Sequence, residues 1–101
     1  MDNAPGFVSG LPGQEAVLRA CFLGQPGWCP NPSQTVNYVS CHDNMALFDR
    51  IVLSTPEATR ADQIRMNNLA AAFYMTAQGA PFFQAGEEML RSNPLPGGGF
   101  D

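Results

Sequence analysis

Two short apolar runs, residues 35–40 (TVNYVS) and 80–85 (APFFQA), each break off into a polar cluster: Cys41-His42-Asp43-Asn44 after the first, Gly86-Glu87-Glu88 after the second. Val36, Tyr38 and Val39 favour an extended strand, whereas His42, Asp43 and Asn44 favour turns and helix starts. Between the runs lies a helical pattern. The order strand, helix, strand with a long crossover defines a parallel pair, so both polar ends face the same C-terminal edge. That edge is where α/β enzymes place their chemistry. The fold class expected is α/β.

The rest of the chain punctuates this unit. Residues 1–13 read as coil. Residues 14–23 (QEAVLRACFL) carry enough Ala, Leu, Glu and Arg for a short helix that Gly24 and Pro26 stop, and residues 24–34 form a Gly/Pro/Asn-rich loop around Trp28. Met45, Leu47, Phe48, Ile51 and Val52 recur at intervals of three and four, which predicts a helix just beyond His42-Asp43. Ser54-Thr55-Pro56-Glu57 has the form of a second helix start. The helix that follows, residues 58–78, sets Met66, Leu69, Ala70, Phe73 and Ala77 on one stripe before Gly79 and Pro81 end it. This gives a loop-rich segment over 1–34, a βαβ unit over 35–91 and a loop over 92–101.

Charge narrows the classes of partner. Nine acidic residues face five arginines, lysine is absent and the formal charge is -4. Nothing here drives the counterion release on which nucleic-acid binding depends, and the same acidity disfavours an anionic membrane surface. The apolar run at residues 69–77 is too short to span a bilayer, and Met1-Asp2-Asn3 lacks the basic and apolar regions of a signal peptide. With Met1 as the true start, a cytoplasmic protein is expected. Cys21, Cys29 and Cys41 form no C-x-x-C pair, and adding His42 matches no common zinc spacing. Buried or incidental thiols are expected.

A two-stranded parallel sheet has two unpaired edges and cannot cover both its faces, so a βαβ unit alone is a poor domain. A (β/α)8 barrel takes about 250 residues, and this chain supplies about two of its units. Longer motifs agree with that reading. Tyr38-Val39-Ser40-Cys41-His42-Asp43-Asn44 fits a Tyr-Val-x-x-His-Asp-Asn pattern. Leu47-Phe48-Asp49-Arg50 and the pairs Arg65-Met66 and Leu69-Ala70 follow it. Residues 79–91 fit Gly-x-Pro-Phe-x-x-Ala-Gly-x-Glu-x-Leu-Arg without a gap, and Gly6-Phe7-Val8-Ser9-Gly10 fits an earlier Gly-Phe-Val-x-Gly segment. Carrying these, the chain resembles type I pullulanase, in the α-amylase superfamily of glycoside hydrolases, from about residue 6 to residue 94. Asn44 and Glu88-Met89-Leu90-Arg91 favour that subfamily over isoamylases and branching enzymes.

The resemblance implies a (β/α)8 TIM barrel of which this is the part around strands seven and eight. It implies retaining hydrolysis of α-1,6 links in pullulan, branched starch or glycogen. Asp43 matches the family's third carboxylate, which stabilises the oxocarbenium-like transition state by accepting from sugar hydroxyls. His42 would donate to the same sugar, and Asn44 would line the neighbouring subsite. The family's Asp nucleophile and Glu acid/base, after strands four and five, have no counterpart here, so the chain alone is expected to be inactive. No cofactor is implied; calcium occurs in the full-length family, without a site visible here.

Other readings stand beside this one. His42 also suits a satisfied buried histidine next to a capping Asp43. Glu87 and Glu88 have the composition of a hydrolytic carboxylate pair, but strand neighbours diverge and the two are not expected to reach one sugar; the resemblance, through its strand-eight pattern, implies that Glu88 is a structural residue able to pair with an arginine. Phe82 and Phe83 read as core, and Trp28 as either a sugar platform or packing. A Cys41-His42 dyad and a Ser40-His42-Asp43 triad both fail on crowding along one strand. A non-catalytic carbohydrate-binding or assembly module derived from such a barrel is the alternative function, and a poorly folded remnant is the bland one.

Overall fold

The structure, a computed structural model, describes residues 4–25 and 27–101. The helix stop expected at Pro26, and the readings made on residues 1–3, lie outside the described residues. Helix α1 spans Glu15–Phe22, with Glu15 in its first turn and Arg19 in its last, each matching the sign of the nearby helix-dipole end. It ends where Gln25 N–H reaches back to the Ala20 carbonyl at 2.8 Å, across Gly24. Asn31 then caps a short 3-10 turn, Pro32–Gln34. Its side chain accepts from Ser33 N–H at 2.9 Å, while Gln34 Oε1 accepts from Asn31 N–H at 3.2 Å. This reciprocal box fixes the direction in which the chain enters the first strand.

Strand β1 is Val36–Asn37 and strand β2 is Ala80–Pro81, paired in parallel with Val36 opposite Ala80 and Asn37 opposite Pro81. The parallel order is the one expected, but each strand is shorter than the runs 35–40 and 80–85. A ladder extends only where a neighbour supplies partners, and this pair has no third strand among the described residues. The close approach depends on Gly79. Its φ of +112° is a conformation side chains avoid, and a Cβ there would lie 2.1 Å from Thr35 Oγ1.

Two helices make the crossover. Helix α2, Leu47–Ser54, begins three residues later than the polar cluster suggests, and helix α3 is Arg60–Thr76. The cap of α3 is Thr59, not Ser54 or Thr55: its hydroxyl oxygen accepts from Asp62 N–H at 3.1 Å. Asp62 in turn pairs with Arg65 at 2.7 Å. Thr55 instead closes α2, donating its hydroxyl to the Ile51 carbonyl at 2.6 Å.

The core sits between α2 and α3, where Leu47, Ile51 and Ala70 are buried and Val8 and Met66 pack against them. Phe48 is buried under the Arg60 guanidinium, which lies 4.1 Å above its ring. Phe22 and Phe73 meet edge to face at 5.4 Å, joining α1 to α3. The buried stripe of α3 is not the apolar one expected. Gln63, Asn67, Ala70 and Tyr74 point inward, and Leu69 is 46% exposed. Phe82 and Phe83, expected in the core, are 48% and 44% exposed; Phe82 meets only the edge of the equally exposed Tyr38 ring, at 6.3 Å, among the ring contacts of the described residues. The result is a small, helix-rich α/β piece.

Candidate functional site

Beyond Asn37 the chain runs through a buried Ser40 and turns at His42-Asp43 before entering α2. The end of β2 arrives on the same side, and the two strand ends border an open cleft of about 400 Å³. From the first strand end it is lined by Cys41, His42, Asp43 and Asn44; from beyond the second, by Gln84, Arg91 and Asn93. Phe100 and Asp101 close the far wall. His42, Asp43 and Asn44, the candidate site residues of the sequence, therefore share one cleft. All three are exposed, so His42 is not the satisfied buried histidine that the bland reading describes.

Asp43 is held as a carboxylate. The Cys41 thiol donates to Asp43 Oδ1 at 2.9 Å, and this bond, followed by the neighbouring His42, moves its carboxyl below the usual carboxylate range. An exposed, ionised acid at a strand end can accept hydrogen bonds from hydroxyls of a ligand in the cleft. Arg91 supplies a cation on the opposite side and donates one N–H to the Ala85 carbonyl at 3.1 Å, which anchors the turn after β2.

The acids after the second strand separate as their chemistry requires, though through a turn and not a strand. Gly86, at φ +97°, reverses the chain so that Glu87 enters the interior and Glu88 faces out. Glu88 accepts from Gly86 N–H at 3.1 Å, and the ion pair formed among the described residues is Arg65 with Asp62, not an arginine with Glu88. Glu87 is 3% exposed, and its carboxylate accepts from Ser40 Oγ and, at 3.0 Å, from Tyr74 Oη. Asn67 donates to the Glu87 carbonyl at 3.2 Å. Burial, and then the bond to Glu87, push the Tyr74 phenol up to about 12.

A second buried acid ties down the far side of the cleft. Asp49, 1% exposed in the first turn of α2, accepts from Ser92 Oγ at 2.5 Å and from Asn93 N–H at 2.8 Å. The sequence places Glu87 at this edge but does not reveal it as the buried acid, and it does not point to Asp49, Gln84, Arg91 or Asn93 as parts of the edge. One signal was available: Gln63, Asn67 and Tyr74 fall on a single helical face, which announces a polar partner for α3. Trp28 is 71% exposed and stands away from the cleft. Among the described residues no group of three or more His, Cys, Asp or Glu side chains is placed to hold a metal, and no helix is long and apolar enough to cross a membrane.

A parallel strand–helix–strand piece with His-Asp-Asn and a second strand end around one open cleft is a pattern that known proteins share. No protein-family model matches the chain. Pullulanase 1 of Arabidopsis thaliana, a chloroplastic protein, is 51% identical over 65 residues, covering 63% of this chain and 7% of the plant protein. The solved pullulanase of Bacillus acidopullulyticus superposes with a TM-score of 0.85 at 48% identity, over 89% of this chain and 11% of that one. The pullulanase of Paenibacillus barengoltzii, solved in complex with maltohexaose and α-cyclodextrin, gives 0.81 at 41% identity, over 85% and 14%.

These likenesses are all to one family, that of debranching glycoside hydrolases. Within it, homologues named pullulanase match most of these 101 residues, as they would match a piece of such a protein. The chain spans between 7% and 14% of the length of these three relatives.

Proposed function

We propose that these residues form the region around strands seven and eight of a (β/α)8 barrel, with a loop-rich lead over 1–34, the βαβ unit over 35–91 and a closing loop over 92–101. In this reading the chain supplies part of the active site of an α-1,6-glucosidase acting on pullulan, branched starch or glycogen. Asp43 accepts hydrogen bonds from hydroxyls of the sugar beside the scissile bond and favours its oxocarbenium-like transition state. His42 donates to the same sugar, and Asn44 lines the next subsite. The nucleophile and the acid/base are not among the residues of this chain, so the 101 residues alone are inactive.

The observation that carries the reading is the shared cleft: an ionised, exposed Asp43 flanked by His42 and Asn44 faces Gln84 and Arg91 from the second strand end. The complex of a relative with maltohexaose and α-cyclodextrin supports a glucan as the ligand class.

The test is a graft in which this chain replaces the matching segment of the Bacillus acidopullulyticus pullulanase. The graft should hydrolyse pullulan, and Asp43→Asn within it should lower kcat by a factor on the order of 100 to 1,000 at an unchanged melting temperature. Turnover that survives Asp43→Asn would remove the assignment.

A further inference from the structure

The most deeply buried group near the cleft that the proposed chemistry does not use is Glu87. A buried carboxylate is stable only with hydrogen-bond donors or a cation around it, and no ion pair to Glu87 is formed among the described residues. Its donors come from two other places in the fold. Ser40 belongs to the end of the first strand, and Tyr74 projects from α3, two turns beyond Asn67 on the same helical face. Asn67 holds the Glu87 main chain, and Glu87 N–H donates to the Gln84 carbonyl at 3.0 Å. One side chain therefore joins both strand ends to the crossover helix.

The join lies next to the proposed chemistry. Ser40 is three residues before Asp43, and Cys41 between them donates its thiol to Asp43 Oδ1 at 2.9 Å. A continuous series of contacts runs from the Tyr74 hydroxyl through the Glu87 carboxylate to Ser40, and by one peptide and one thiol bond to Asp43. Asp43 itself is exposed and is held by the Cys41 thiol and by bonds within its own turn, and that turn follows directly on the buried Ser40. An apolar side chain in place of Glu87 would fill the space with no charge to desolvate, but it would leave the buried Ser40 and Tyr74 hydroxyls without their acceptor. What it could not do is fix Ser40 in direction as well as in distance.

We infer that Glu87 is a positioning residue: its buried carboxylate, oriented by Tyr74, holds Ser40 and so sets the turn that presents Asp43 to the sugar. The inference rests on the proposed role of Asp43. Displacement of a group by about 1 Å costs up to about 100-fold in rate, so the effect should fall on kcat and spare substrate affinity.

The experiment uses the grafted Bacillus acidopullulyticus enzyme, with pullulan as substrate. Ser40→Ala should lower kcat about 10- to 100-fold with KM within about twofold. Glu87→Gln, which keeps an acceptor for one of the two hydroxyls, should fall between Ser40→Ala and the unsubstituted graft. The decisive readout is coupling. In the Asp43→Asn background, Ser40→Ala should cost little more, because the group it positions is already gone.

An equal loss from Ser40→Ala in both backgrounds would mark a structural role and overturn the inference. If Ser40→Ala yields no folded enzyme, the same cycle with Glu87→Gln decides it by the same criterion. Should Asp43→Asn alone leave the rate intact, the proposed function falls, and this inference with it. A strong Asp43→Asn effect with unaltered kcat in both Ser40→Ala and Glu87→Gln would remove this inference alone.

Discussion

The contact between Asp49 and the closing loop gives a sharp prediction about what holds the far wall of the cleft. Asp49 is 1% exposed and accepts two hydrogen bonds, from Ser92 Oγ at 2.5 Å and Asn93 N–H at 2.8 Å. A hydrogen bond to a charged group contributes about 1.5–3 kcal/mol, so the gross loss in Asp49→Ala is about 3–6 kcal/mol. Two effects reduce it. Ser92 and Asn93 lie at the surface, where water can replace the lost partner, and the alanine no longer has a buried charge to desolvate. A net loss of about 2 kcal/mol is expected.

Equilibrium urea denaturation of the grafted enzyme and its Asp49→Ala variant measures this, with limited proteolysis to locate the change. The midpoint should fall, and cleavage after Phe100 should speed up, because the loop from Ser92 loses its anchor. Asp49→Asn, which keeps one acceptor, should fall between the two. A midpoint and cleavage pattern unchanged by Asp49→Ala would show that the acid does not secure the loop.

Two further outcomes follow from the packing. Gly79→Ala should destabilise by more than the roughly 1–3 kcal/mol of a strained backbone alone, since a Cβ at φ +112° would also meet Thr35 Oγ1 at 2.1 Å; a loss below about 1 kcal/mol in thermal melts would contradict the strand approach. Tyr74, with its phenol pushed up to about 12 from an ordinary value of about 10, favours the neutral form in the folded state. Its contribution is fully present below pH about 10 and is lost as pH rises toward about 12, so Tyr74→Phe should flatten the decline of stability across that window. Identical slopes for wild type and variant would refute the raised phenol pKa, and with it the buried placement of Tyr74 beside Glu87.

How much of this was legible in the sequence differs by element. The helix read over 14–23 agrees with Glu15–Phe22, because Gly24 and the local composition act within a few residues. The start of α3 was misplaced because Ser54-Thr55-Pro56-Glu57 satisfies a capping pattern that Thr59 and Asp62 satisfy in the fold. Two strands of the right order were readable from their β-branched and aromatic content, yet each pairs over only two residues, since ladder length depends on neighbouring strands and the described residues supply no third one.

The stripe on α3 failed for a different reason. Periodicity assigns the buried face to the apolar residues, but the partner of this face is the carboxylate of Glu87, so Asn67 and Tyr74 turn inward and Leu69 turns out. The strand-end cluster was the most legible part of the site, because a polar run that stops an apolar strand has few structural reasons to exist. Gln84 was not, as nothing local distinguishes it from an ordinary surface residue, and Arg91 stands out only as the end of a motif, with no local sign that it lines a cleft.

The most direct measurement of the central claim is the contact between Asp43 and sugar. In crystals of the grafted enzyme soaked with maltohexaose, the account predicts Asp43 carboxylate oxygens within about 2.5–3.0 Å of hydroxyls on one glucose unit, with His42 donating to that same unit. A maltohexaose chain bound in the active site while Asp43 and His42 both stand apart from it would contradict the account.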